Sequence, residues 1–154
     1  MEQVKEETKN KKINTTRFGE IEINEDKIIK FVESLPGLPK SQNFVLLPHK
    51  EKSPFMWFQS TELPELAFVV MNPFVCVESF NPQIAVDDLS ILGFKKYPDS
   101  DAMVLGLVSI PEDPKEMTIN LIAPILLNLQ TKAAKQIVLE NEDYPIKHRI
   151  LTEE

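Results

Sequence analysis

Apolar and polar side chains alternate over residues 18–23, where Glu20, Ile21, Glu22 and Ile23 follow one another at a period of two. That period predicts a strand with one buried face. Asn24, Glu25 and Asp26 read as a turn and K-I-I-K-F follows, so the two runs are expected to form a hairpin. S-L-P-G-L-P at residues 34–39 carries a type II turn signature, with Pro36 fixing φ and Gly37 free to take a positive φ. Apolar runs at residues 43–47, 55–59 and 67–71 read as strands, the first ended by Pro48 and the last by Asn72 and Pro73. Residues 87–93 hold the best local helix pattern: Asp87 or Asp88 can cap it, Leu89 and Leu92 share a face, and Gly93 can end it. Residues 101–110 read as a long core strand, 111–116 (P-E-D-P-K-E) as a rigid acidic turn, and 135–139 as the last clear strand.

One stretch resists this scheme. Residues 118–128, T-I-N-L-I-A-P-I-L-L-N, are almost wholly apolar but are interrupted by Pro124. A helix interior and a central strand both need the N–H that proline lacks. Two short strands on either side of the break are expected, and their role stays open. Either Pro124 ends one strand and begins the next at a sheet edge, with Asn120 and Asn128 serving local turns, or the stretch is an apolar edge that a partner covers.

Short strands punctuated by twelve prolines predict an all-β domain, a small barrel or curved sheet with one short helix. The 154 residues suit one domain with a real core. Residues 1–14, with four lysines and three glutamates and no apolar period, are expected to be a flexible polar tail ahead of a domain at 15–154. The chain carries a net charge of −7, which argues against direct nucleic-acid binding and fits solubility or a basic partner. The single Cys76 suits a reducing compartment, and the charged N-terminus lacks the apolar core of a signal peptide. No uncharged run reaches the roughly 20 residues that span a bilayer, so a cytoplasmic location without membrane contact is expected.

Candidate chemistry is thin. His49 and His148 are far apart and no C-x-x-C or H-x-x-x-H spacing occurs, so no metal site is expected. No G-x-S-x-G is present, Cys76 lies in an apolar run without a basic neighbour, and the four glycines are too scattered for a phosphate loop. No catalytic residue and no cofactor are therefore expected. The carboxylate groups at 87–88, 99–101, 112–113 and 140–143 fall in turns or at a helix start, where an acidic rim able to steer a basic partner is the better reading. The rival is an enzyme with two converging carboxylates in a barrel mouth. Phe55 and Trp57 share a strand face, and with Phe58, Phe68, Phe74 and Phe80 are expected to lie mostly in the core.

Taken in order, R-F-G-E-I-E-I-N-E-D-K-I-I-K-F, S-L-P-G-L-P, N-F-V-L-L-P, F-Q-S, L-A-F-V-V-M-N-P-F, T-I-N-L-I-A-P-I-L-L-N and A-K-Q-I-V-L resemble the bacterial flagellar assembly factor FliW family over residues 16–151. The resemblance implies a small cytoplasmic β-rich protein without catalysis. It implies binding to flagellin and to the RNA-binding translational regulator CsrA, with non-competitive antagonism of CsrA that relieves repression of the flagellin message. It also makes Asn120, Pro124, Ile125, Leu127 and Asn128, from the N-L-x-A-P-I-x-x-N segment, candidates for partner binding. Leu38 departs from the family pattern, where an aromatic is expected after P-G.

Overall fold

The computed structural model of the chain describes residues 10–33, 35, 42–48 and 53–150. In chain order its strands are β1 (Asn10–Thr15), β2 (Gly19–Asn24), β3 (Ile29–Phe31), β4 (Asn43–Pro48), β5 (Phe55–Ser60), β6 (Ala67–Met71), β7 (Ala102–Ser109), β8 (Thr118–Ile119), β9 (Ile125–Asn128), β10 (Ala133–Gln136) and β11 (His148–Arg149). Two short helices, α1 (Pro73–Cys76) and α2 (Val86–Ile91), lie between β6 and β7.

Seven of these strands close on themselves. The order β7-β6-β5-β4-β3-β10-β9 returns to β7 through the β7–β9 pairing, so each of these strands has a neighbour on both sides. Closure removes the open edges that a flat sheet would expose. All the joins are antiparallel except β10 with β3, where Ala134 pairs with Phe31. β8 and then β11 extend from the far half of β7, and β1 pairs with β2 as a separate ribbon.

Strand alternation sorts the side chains into layers. In β4, Phe44 and Leu46 point into the barrel while Val45 and Leu47 face Ile13, Ile21 and Ile23 of the β1–β2 ribbon. In β9, Ile125 and Leu127 point inward with Leu105 of β7, whereas Leu126 and Val104 face outward into a second core. That outer core holds Leu89 of α2 and Leu92 just after it, with Leu121, Ile137, Leu139 and Ile150. A strand covered on both faces has no polar face to show, which is why residues 125–127 read as an unbroken apolar run. The barrel interior is plugged by Phe31, Phe44, Phe58 and Phe68, whose nearest rings meet at centroid distances of 5.3 and 5.5 Å.

The all-β barrel agrees with the sequence pattern, and strands at 43–48, 55–60, 67–71 and 102–109 lie within a residue or two of their expected bounds. Four expectations are corrected. β2 does not form a hairpin with β3; it pairs with β1, residue for residue from Asn10 opposite Asn24 to Thr15 opposite Gly19. Residues 10–14 are therefore strand rather than tail, while residues 1–9 and the 34–39 turn with Leu38 lie outside the described residues, residue 35 apart. The strand expected at 135–139 as the last clear one is at Ala133–Gln136, and a further short strand, β11, follows it. A second helix, α1, is present, held by Pro73 at its first position and by the Asn72 side chain accepting from Phe74 N at 2.9 Å.

Candidate functional site

Residues 118–128 pair antiparallel with β7 at both ends, but not in one register. Ile119 stands opposite Val108 and Ile125 opposite Leu105, so two residues of β7, Gly106 and Leu107, face the five residues 120–124. The surplus forms a wide bulge. Asn120 N still donates to Leu107 O at 2.9 Å, and beyond it the bulge turns to other partners. Leu121 N donates to Pro145 O at 3.0 Å, while Ile122 O and Pro124 O accept from Leu139 N (2.8 Å) and Ile137 N (2.9 Å). Ala123 N donates to Asn120 Oδ1 at 2.9 Å, and Ala123 O accepts from Gln136 Nε2 at 3.0 Å. Pro124 thus sits where no ladder donor is required, and its missing N–H leaves no orphan.

Asn128 closes the stretch. Its side-chain nitrogen donates to Leu92 O at 2.8 Å, where α2 ends, and its Oδ1 accepts from Gln130 N at 2.9 Å and Thr131 N at 3.2 Å. One buried amide therefore ties the end of α2 to the β9–β10 turn. Gly93, at φ +88°, lies against it, with an added Cβ falling 3.6 Å from Asn128 Nδ2. Gly106 is needed more directly: a Cβ there would lie 2.5 Å from Ile119 Cδ1.

Of the five candidate residues, Pro124, Ile125, Leu127 and Asn128 are buried and Asn120 is half-buried. β9 is paired on both edges and covered on both faces, so the expected exposed apolar edge is absent there. The local-turn reading of the asparagines matches their bonds.

In three of the four carboxylate clusters one member is engaged in local structure. Asp88 accepts from Lys135 Nζ at 2.6 Å, linking α2 to β10. That bond holds the lysine above its ordinary pKa against the opposing effect of burial. Asp113 caps the turn at Pro114–Glu116, Asp99 accepts from Asp101 N, and Glu116 lies 3.5 Å from Arg149. Cys76 is half-buried beside Met71 Sδ, and burial pushes its thiol up, away from the reactive thiolate. Among the described residues no three histidine, cysteine or carboxylate side chains gather as metal ligands. His148 lies in β11 and His49 is outside the described residues. Among the described residues no helix is long and apolar enough to cross a membrane.

The surface of the described residues includes three concave features of interest. A cavity of about 440 Å³ opens at one end of the barrel beside Leu127. A groove of about 310 Å³ runs between α1 and β11, bordered by Phe55, Val75 and Ile150. A smaller polar hollow of about 280 Å³ lies beside Arg17 and Gln59. Among the described residues that line the barrel mouth there is one carboxylate, Asp26, and these residues do not bring together the converging pair that the enzymatic rival requires. Sequence reasoning missed the Arg17–Trp57 contact, in which the guanidinium lies 4.2 Å from the indole ring and Phe18 packs edge-on at 6.1 Å. Trp57 sits outside the barrel rather than in its core, because its odd position in β5 places it opposite the outward Leu47.

Comparison with known proteins agrees with this architecture. The family model described as FliW protein matches residues 11–150. A flagellar assembly factor FliW from Syntrophus aciditrophicus (strain SB) is 41% identical over 140 residues, covering 91% of this chain and 87% of that one. Its counterpart from Alkaliphilus metalliredigens (strain QYMF) is 38% identical over 142 residues, covering 92% and 86%. A crystal structure of the flagellar assembly factor FliW superposes with a TM-score of 0.82 at 31% identity, covering 94% of this chain and 99% of that chain. With the family model spanning the whole barrel and its outer layers, the chain belongs to the FliW family of flagellar assembly factors.

Proposed function

We propose that this protein acts in the cytoplasm as a stoichiometric binding factor for flagellin and for the translational regulator CsrA. Bound to CsrA away from its RNA site, it relieves repression of flagellin translation; bound to flagellin, it is withdrawn from CsrA. The reading needs no chemical turnover, cofactor, nucleic acid or membrane. The observation that carries it is family membership across residues 11–150. The net charge of −7 supports it, since a protein that binds RNA must present basic surface to the phosphates. In this reading Asn120 and Pro124 contribute by fixing the shape of the bulge, and Ile125, Leu127 and Asn128 by holding the wall beneath it.

The test is affinity capture from a motile cell lysate, followed by titration of purified CsrA–message complex with this protein. Flagellin and CsrA should both be recovered. Release of the message should not be reversed by excess RNA, because competition at the RNA site would be. Recovery of neither partner sinks the proposal, and full rescue by RNA sinks its non-competitive part.

A further inference from the structure

The phenylalanine plug fills the middle of the barrel, but the interior is open at one end. The cavity of about 440 Å³ found there lies within the range of small-molecule sites. Its walls are the inward side chains of Ile29, Leu46, Met103 and Leu127, contributed by β3, β4, β7 and β9. All four strands are paired on both edges near this mouth or close to it, so a peptide entering it would find no free strand edge to extend. The occupant that fits such walls binds through an apolar body.

The rim adds a charge. Among the described residues that line it, two lysines, Lys27 and Lys132, stand with one carboxylate, Asp26, which is a local reversal of sign on a chain of net charge −7. Lys132 is also the one non-glycine residue with positive φ among the described residues, at +67°. A lysine there costs about 1 kcal/mol relative to glycine, which takes that conformation freely. Its Nζ folds back on Leu129 O, which uses one of the three ammonium protons and leaves two to donate. A strained position occupied by a long cation, at the lip of an apolar cavity, is where a side chain is kept for what its end group holds.

We infer that the barrel mouth binds a small amphipathic anion: an unbranched aliphatic chain lying against Met103 and Leu127, with a carboxylate at the rim beside Lys27 and Lys132. This inference goes beyond the function proposed above and does not rest on it, although Leu127 belongs to both regions.

The test is isothermal titration of the purified protein with decanoate below its micellar concentration, alongside decan-1-ol and decyltrimethylammonium. Decanoate should bind saturably with one-to-one stoichiometry, the alcohol about tenfold more weakly, and the cation not measurably. Lys132→Gly separates a structural role from a binding one: it should melt at the same or a higher temperature yet bind decanoate about tenfold more weakly. Lys27→Ala should weaken decanoate in the same direction with its melting temperature unchanged. The inference is overturned by non-saturable uptake, by equal affinity for the three probes, or by a Lys132→Gly protein that folds and binds decanoate as tightly as the parent.

Discussion

The wall at residues 118–128 and the mouth beside it share Leu127 but are built in opposite ways. In the wall β9 has both edges paired and both faces covered, and the carbonyls of Ile122, Ala123 and Pro124 and the Asn128 amide are engaged within the fold. The mouth has apolar side chains that line an open cavity among the described residues, two lysines at the lip and one strained backbone position. The difference teaches how to read an apolar stretch: continuity of hydrophobic residues marks a doubly covered strand, whereas a place for a ligand is marked by unfilled volume, which leaves no trace in the pattern.

Substitutions can break this contrast. The largest expected effect is that of Leu127→Asp, which puts a charge among Ile125, Leu105 and the phenylalanine plug; a loss of more than about 4 kcal/mol should abolish the cooperative melt followed by circular dichroism. Gly106→Val comes next, since Ile119 must move to admit even the first carbon; a loss of about 3 kcal/mol in urea unfolding is expected, and wild-type stability would mean the bulge is free to shift. Asn128→Ala leaves Leu92 O and two turn N–H groups unmatched, for about 2 kcal/mol, or a melting temperature lower by about 6 °C. A parent-like melt combined with weakened partner capture would instead make Asn128 a contact residue.

The smallest effect is a pH dependence. Lys135 is raised in the folded state by its bond to Asp88, so its contribution is complete below the ordinary lysine pKa of about 10.4 and disappears as pH rises through the higher folded value. Lys135→Met should therefore lower stability by about 1 kcal/mol at neutral pH and converge on the parent under strongly alkaline conditions. A constant gap across that range would assign the loss to packing.

Legibility in the sequence followed the range of the interaction. The strands at 43–48, 55–60 and 67–71 were readable because each is a local run ended by proline or a turn residue. Helix α1 was also readable in principle, from Asn72 followed by Pro73, but four residues give no period. β1 was not, because only Ile13 and Thr15 in N-K-K-I-N-T are buried and its partner choice depends on covering Val45. The burial of Ile125 and Leu127 was hidden for a similar reason: it depends on β7 and β10 flanking β9, and on α2 and the segment after β10 lying over it. The mouth was invisible, since Lys27, Met103 and Lys132 meet only after closure.

The single parallel join, Phe31 beside Ala134, has a consequence for the order of synthesis. A chain leaving the ribosome makes β3 early and β10 near its end, so the antiparallel strands β3 to β7 can zip in succession while the ring remains an open sheet. Until the last quarter of the chain emerges, β3 offers an unpaired edge and the phenylalanine plug lacks the wall that covers it. Closing so distant a contact is slow, and the waiting sheet is exposed to aggregation. Nascent chains stalled before residue 133 should accordingly be more protease-sensitive and more dependent on chaperones than chains released only a few residues later.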